Sequence, residues 1–218
     1  MSTEATVLQS GKQRLNELSK FADQLEGRSA EDILNWAASR FGKGLTFATG
    51  FGAEGCVLID LIGKNKLPID IFTLDTGLLF QETYHLWHRL EAQYNIAIRA
   101  IVPELDVDQQ AKTYGDRLWE RSPDKCCNIR KVIPLKATLA NVDAWVTAIR
   151  RDQTAERALA KVVEWDHKFN IAKINPLVKW TKNDVWQHIL NSKVPYNPLH
   201  DNGYPSIGCW PCTSQVKP

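Results

Sequence analysis

Short β-prone runs alternate with helical stretches along the 218 residues, and this alternation constrains the fold more than any other feature. Leu45–Thr49 is short, β-prone and bounded by glycine, and reads as a strand. Ala53–Asn65 reads as a helix, Ile69–Leu74 as a buried strand closed by Asp75-Thr76-Gly77, Leu79–Tyr94 as a helix and Ala97–Ile101 as a third strand. Parallel strands need a long crossover between them, usually a helix, so the pattern predicts an α/β fold: a parallel sheet with flanking helices. Asp143–Ile149 supplies a fourth strand, and Val162–Trp165 with Ile171–Ile174 a short hairpin. Helices are predicted over Gln9–Leu25 from the spacing of Leu15, Leu18, Phe21 and Leu25, and from a Ser29 cap through Arg40, with Asp32 as the capping-box carboxylate. Two more cover Ile129–Leu139 and, behind a Thr181 cap, Lys182–Asn191. Asp106–Arg121 is polar and loosely helical, and the proline- and glycine-rich stretch from Val194 predicts an irregular C-terminal segment held by contacts. No repeat or linker interrupts the chain, so residues 1–218 read as one domain, with 1–42 its N-terminal helices.

Composition narrows the function classes. Lys+Arg is 27 and Asp+Glu is 25, and a balance of +2 argues against a nucleic-acid-binding surface while leaving room for a local basic cluster. No uninterrupted apolar run approaches the ~20 residues of a membrane span. The opening Met1-Ser2-Thr3-Glu4 lacks a signal-peptide layout, so a cytoplasmic location is expected.

Three segments carry chemistry at strand ends. Thr49-Gly50-Phe51-Gly52-Ala53-Glu54 joins a strand to a helix. Its glycines let backbone amides approach an anion where the helix N-terminus adds partial positive charge. It lacks the ending of a Walker loop, and a merely tight turn accounts for it as well. Leu74-Asp75-Thr76-Gly77 closes the next strand, where ligands of open α/β sheets bind, although Asp75 and Thr76 serve equally as helix caps. The basic set comprises Arg130, Lys131, Arg150, Arg151 and Arg157. Arginine's fork suits phosphate or sulfate oxygens. Adjacent side chains on extended backbone diverge, so one of Arg150 and Arg151 faces a site, and strand-end position lifts Arg151 above a solvated surface residue.

Of five cysteines, four fall in two pairs, Cys126-Cys127 and Cys209-Trp210-Pro211-Cys212. Four thiolates suit zinc or an iron–sulfur cluster. Directly adjacent ligands are unusual for structural zinc and reach two irons of a cubane more easily, so a [4Fe–4S] cluster leads, with zinc and free thiols open. Cys56, beside Val57-Leu58-Ile59, reads as a small buried hydrophobe. Trp145 and Trp186 read as core, His85 and His88 lack further metal ligands, and His200 reads as a structural hydrogen-bonding residue.

These residues resemble the assimilatory adenylyl-sulfate (APS) reductases. The resemblance runs from about Leu45 to the end, through Leu74-Asp75-Thr76-Gly77, Cys126-Cys127-Asn128-Ile129-Arg130-Lys131, Arg150-Arg151-Asp152-Gln153 and Val194-Pro195-Tyr196-Asn197-Pro198-Leu199-His200. Its most specific part is Gly203-Tyr204-Pro205-Ser206-Ile207-Gly208-Cys209-Trp210-Pro211-Cys212-Thr213. It implies an adenine-nucleotide α-hydrolase-like fold and a [4Fe–4S] cluster on Cys126, Cys127, Cys209 and Cys212. It further implies reduction of APS to sulfite and AMP, with electrons from thioredoxin or a glutaredoxin-like dithiol. AMP would lie against Thr49 to Glu54, with Thr49, Gly50 and Glu54 foremost, and against Leu74, Thr76 and Ala148, and the phosphosulfate near Lys131, Arg151 and Arg157. Self-association is left open. Relatives lacking the cysteine pairs generally use the 3′-phosphorylated substrate, PAPS.

The chain departs from the family pattern at several points. Phe51 stands where a hydroxyl residue is usual, Ala148 where glycine is usual and Leu78 where arginine is common, and the stretch around Arg157 is short. The family's nucleophilic cysteine lies in a C-terminal Glu-Cys-Gly-Leu-His motif, which these 218 residues do not contain. The catalytic thiol is therefore unassigned, and a tail-less form that binds nucleotide with little turnover is expected. A PAPS reductase and a non-catalytic nucleotide-binding iron–sulfur module are the alternatives.

Overall fold

The computed structural model describes residues 16–216. Six strands form one sheet in the order β3-β2-β1-β4-β6-β5: β1 Leu45–Thr49, β2 Asp70–Leu74, β3 Ile98–Ile101, β4 Ala144–Val146, β5 Val163–Asp166 and β6 Ile171–Ile174. All neighbours run parallel except β5 on β6. The hairpin is thus present, but β6 inserts beside β4 and leaves β5 on the edge. Strand order reverses at β1, which pairs with β2 on one side and β4 on the other. Such a switch point opens a crevice beyond the carboxyl ends of the strands.

The helices follow from local signals. Helix α1 covers 16–25, and the earlier part of that predicted helix lies outside the described residues. Helix α2, Ala30–Phe41, starts where the Ser29 hydroxyl accepts the Asp32 amide, 3.1 Å. Helix α3, Ala53–Lys64, is buried from Ala53 to Gly63 except at Glu54, because it is sandwiched beneath the sheet's other helices. Helix α4, Gln81–Tyr94, begins two residues later than the sequence suggests. Leu79 is instead held in an antiparallel bridge with Cys209. After α5, Val107–Tyr114, and α6, Leu118–Arg121, comes α7, Pro123–Cys127. A π-helical turn, Asn128–Val132, joins it to α8, Ile133–Leu139. The predicted helix therefore begins earlier and carries both vicinal cysteines. Helix α9, Lys182–Ser192, has a reciprocal capping box between Thr181 and Asp184. No helix among the described residues is long and apolar enough to cross a membrane.

The main core fills the space between sheet and helices, from Leu18 and Ile33 through Phe47, Leu58 and Ile174 to Ile189. Helices α3 and α4 meet so closely that a Cβ on Gly63 would lie 2.6 Å from Tyr94 Cβ. Alanine there gains up to ~1 kcal/mol of helix propensity, against a typical overpacking cost of ~1–3 kcal/mol. The clash is with the first side-chain atom, which cannot swing aside, so packing wins. Gly63→Ala is expected to destabilise the fold by about 1–2 kcal/mol, read as a lower urea midpoint at unchanged slope.

Candidate active site

The switch point holds a cleft of about 990 Å³. Gly52–Glu54, just after β1, form one wall, and Arg150, Asp152, Gln153 and Arg157, after β4, form another. Gly52 caps α3 with no side-chain hydrogen bond, so the first amides of this 12-residue helix remain available to an anion. Phe51 takes φ 58°, a left-handed conformation rare for a bulky residue. The turn tolerates it because the ring is buried and stacks on Trp87 at 5.6 Å, while the Thr49 hydroxyl accepts the Phe51 amide, 3.1 Å. The Phe51 side chain thus belongs to the core.

The paired arginines resolve in the opposite sense to the sequence expectation. Arg150 is the one in the cleft, nearly buried, its Nε 2.9 Å from Glu54 Oε1 and its Nη1 on Asp152. Glu54 Oε1 also accepts Gln153 Nε2, 3.1 Å, and Asp152 Oδ2 accepts the Lys182 amide, 3.0 Å. Arg150 is therefore a neutralised clamp between the starts of α3 and α9. Arg151 points away and grips Glu26 with two bonds of 2.6 and 3.0 Å, donating also to the Ala160 carbonyl. Alternation along the extended backbone separates the two. Arg157 lines the cleft and is held by Gln153. Lys182 and Trp186, at the start of α9, line it as well, and the sequence reading missed both as site residues. Only their i, i+4 spacing on one helix face hints at it. His200 behaves as expected, Nδ1 lying 2.8 Å from the Tyr204 carbonyl.

Of the residues assigned to AMP by resemblance, Gly52, Ala53 and Glu54 are on the cleft wall. Gly50 is exposed in the β1–α3 turn, and Thr49 is buried beneath it. Leu74 and Ala148 pack against apolar clusters. Thr76 is buried, and its hydroxyl faces Cys209 Sγ at 3.2 Å while accepting the Leu78 amide. It therefore bonds the cysteine segment.

The four paired cysteines converge from α7 and the turn Trp210–Cys212. All are free thiols: Cys126 and Cys209 buried, Cys127 half-buried and Cys212 exposed. Burial pushes the Cys126 thiol up, opposed by the Gln110 amide and raised further by Cys127 and Cys209. Cys212 is likewise raised by burial and then by Cys209 and Cys127, against the pull of Lys131, which is not among the residues lining the cleft. Thiolates around one zinc, at ~2.3 Å each, must crowd within about 4 Å of one another. Among the described residues no three His, Cys, Asp or Glu side chains gather closely enough to hold a single ion. Consecutive residues on a helix diverge by about 100°, so the tandem pair suits a wider, multi-iron centre better than one ion. The donor set fits a cluster. Cys56 is fully buried and its thiol is pushed up to about 12, first by burial and then by Glu54. It is core, as its neighbours suggested. His85 and His88 lie exposed on α4.

The phosphoadenosine phosphosulfate reductase domain model matches residues 44–215. The adenosine 5′-phosphosulfate reductase of Oceanobacillus iheyensis is 47% identical over 195 residues, 88% of this chain and 80% of its own length. A crystal structure of phosphoadenylyl-sulfate reductase from Candida auris superposes with a TM-score of 0.82 at 33% identity, covering 90% of this chain and 96% of that one. FMN adenylyltransferase of Candida glabrata shares the fold alone, with a TM-score of 0.55 at 17% identity over 84% of this chain and 60% of that one. The chain belongs to the PAPS/APS reductase family of oxidoreductases, with an adenine-nucleotide α-hydrolase-like fold.

Two outcomes test this geometry. Arg150→Gln is expected to cost several kcal/mol, because it strands a partly buried Glu54, and Arg157→Gln well under 1 kcal/mol, in line with ordinary surface changes. Chemical denaturation of both variants checks the contrast. The Glu26 carboxyl is held below its usual 4.5 by the Arg151 hydrogen bond. Its stabilisation is therefore complete above that usual value and is lost as pH falls through the lowered one. The side chains are 31% and 40% exposed, so solvent screening keeps the effect within about 1 kcal/mol. Stability measured between pH 6 and 3 should fall less steeply in Glu26→Gln than in the parent.

Proposed function

We propose that these residues form the substrate-binding and cysteine-bearing core of an adenosine 5′-phosphosulfate reductase that carries a [4Fe–4S] cluster on Cys126, Cys127, Cys209 and Cys212. The observation that carries this reading is the junction of the two halves. The turn after β2 touches the cysteine segment directly, Thr76 Oγ1 to Cys209 Sγ at 3.2 Å. A four-thiol centre beside a nucleotide-type crevice suits a phosphosulfate that must be held while a thiol attacks it.

The anion is received by the open amides at the start of α3 and by Arg157 and Lys182 on the facing walls. Arg150 contributes mainly by holding those walls together. Fixed charges of this kind stabilise the anion without reorganising as charge develops on the departing phosphate. Lys131 is near enough to Cys212 to pull its thiol down, and would act on the phosphosulfate from the cysteine side. Thr49 and Gly50 shape the turn, while Leu74, Thr76 and Ala148 would meet the nucleoside on the far side of it. Arg151 acts through the wall, by fixing the loop to Glu26. A bound cluster would supply local charge beside the substrate.

Reduction needs a thiolate that attacks the sulfate sulfur and expels AMP, leaving a thiosulfonate. Attack by a second thiol then releases sulfite and forms a disulfide, which a thioredoxin- or glutaredoxin-like dithiol reduces. Cys56 is too buried for the first step, and ligation would occupy the other four. The nucleophile is not assigned to any of them. A cytoplasmic setting agrees with five cysteines kept as thiols.

The test uses anaerobically purified protein. AMP and APS are expected to bind, with 3′-phosphorylated analogues weaker. Iron should accompany a broad band near ~400 nm. Arg157→Gln should weaken APS roughly tenfold or more, the scale of one hydrogen bond to a charged group. The likeness to the Candida auris enzyme favours PAPS as the competing substrate, and tighter binding of PAPS would establish it. Nucleotide binding with iron but no turnover, even when a nucleophilic thiol is supplied, would mark a non-catalytic module.

A further inference from the structure

Asp60, in the middle of α3, is the one carboxylate among the described residues that is completely buried. An ionised carboxylate in such a place needs a cation and a full set of donors. Lys64, one turn along the same helix, supplies the cation, its Nζ 2.9 Å from Oδ1 and 3.0 Å from Oδ2. From α4 the Tyr94 hydroxyl donates to Oδ1 at 2.6 Å, and from α9 His188 Nε2 lies 2.8 Å from Oδ2. Burial and then the carboxylate itself hold the Tyr94 hydroxyl above its ordinary range, so it stays a donor. An ionised carboxylate only accepts, so Nε2 carries the proton of the histidine bond. The Trp180 ring backs the imidazole at 5.6 Å. Lys64 neutralises Asp60 from within α3, and what His188 adds is a bond to a different helix.

Both of those helices start at the cleft. Gly52–Glu54, at the start of α3, line one wall, and Lys182, the first residue of α9, lines another. Asp60 lies six residues beyond Glu54, and His188 six beyond Lys182, a rise of ~9 Å on each helix. The helices are therefore tied at matching depth beneath the cleft. At the cleft itself they are joined only through intermediaries, Glu54 to Arg150 to Asp152 to the Lys182 amide. Val185 and Ile189 pack α9 into the core, but apolar contact is non-directional and leaves the helix free to slide or roll. A hydrogen bond to a buried charge is directional and removes that freedom.

We propose that Asp60 and His188 are positioning residues of the nucleotide site: their bond fixes α9 against α3 and so sets where Lys182 stands relative to the open amides of α3. The inference rests on the nucleotide reading above. The phosphate of a bound nucleotide lies between a wall carried by each helix, so a small roll of α9 moves one contact and not the other. Neither Asp60 nor His188 lines the cleft, and both act through Lys182.

The experiment measures AMP affinity by calorimetry for the parent, His188→Ala, His188→Gln, Tyr94→Phe, Lys182→Gln and the His188→Ala/Lys182→Gln pair, with circular dichroism and urea midpoints as checks of fold. His188→Ala is expected to weaken AMP roughly fivefold or more, within the range of coupling in one network. His188→Gln offers an amide donor at a reach similar to Nε2 and should return affinity to within about twofold of the parent. Tyr94→Phe removes a donor from the same carboxylate, but α4 lines no part of the cleft. It should lower the urea midpoint and leave AMP affinity unchanged. Lys182→Gln should weaken AMP by itself, and adding His188→Ala should weaken it no further. Should His188→Ala not fold, Asp60→Asn, which keeps the shape of the side chain, takes its place. The inference alone is overturned, in a parent that binds AMP, by any of four results: His188→Ala matching the parent, His188→Gln as weak as His188→Ala, Tyr94→Phe as weak as His188→Ala, or additive losses in the pair. A parent that does not bind AMP overturns the nucleotide reading and this inference together.

Discussion

The turn after β2, from Asp75 to Leu79, joins everything that the site requires. Its main chain is fixed from both sides, the Asp75 amide on the Ile101 carbonyl at 3.0 Å and the Leu78 carbonyl on the Trp210 amide at 2.8 Å. Its side chains close the same loop. Asp75 Oδ1 takes the Gly77 amide at 3.0 Å and the Tyr84 hydroxyl at 2.7 Å. Gly77 is needed there: it has φ 67°, and a Cβ would lie 3.2 Å from Val107 and 3.4 Å from the Arg130 guanidinium. A residue with a side chain would strain the backbone and displace the contacts that bring Cys209 to Cys126. The two cysteine pairs, remote in sequence, thus meet through one short turn.

A second constraint governs the cleft. Arg150 and Arg151 occupy consecutive positions and must face opposite ways, so each stabilises a different boundary. Arg150 draws the start of α3 toward the start of α9 through Glu54 and Asp152. Arg151 pins the segment after α1 through Glu26. The cleft wall and the loop beside it depend on these ion pairs. The Gln153 amide completes the arrangement by bonding Glu54 with one end and the Arg150 amide and Arg157 with the other.

Local signals account for what the sequence made legible. Leu45–Thr49 is a strand to the residue because a buried parallel strand is a short apolar run between glycine boundaries. The Thr181 cap is visible because both halves of its capping box lie within four residues. The two cysteine pairs are visible in the sequence itself, because pairing along the chain is a matter of residue type and spacing. The helical setting of Cys126-Cys127 was not legible, because Pro123-Asp124-Lys125 starts a helix that only a π-turn extends into α8. Nor were the arginine roles. Glu54 is 96 residues from Arg150 and Glu26 is 125 from Arg151, so only tertiary structure reveals which cation is already paired. The contact of Thr76 with Cys209 was hidden for the same reason, since the two are 133 residues apart.

The distribution of partners also separates cations that build the site from cations that receive its ligand. A positively charged side chain saturated by two carboxylates offers little further field to an incoming anion, whereas one held by a neutral amide retains its charge for that purpose. By this criterion Arg150 belongs to the scaffold, whereas Arg157, held by Gln153 on the cleft wall, bonds no carboxylate. The same criterion distinguishes Arg130, bonded only to carbonyl and amide oxygens and set beside buried thiols. Arg157 and Arg130 are both held by neutral groups, one on the cleft wall and one beside the cysteine segment.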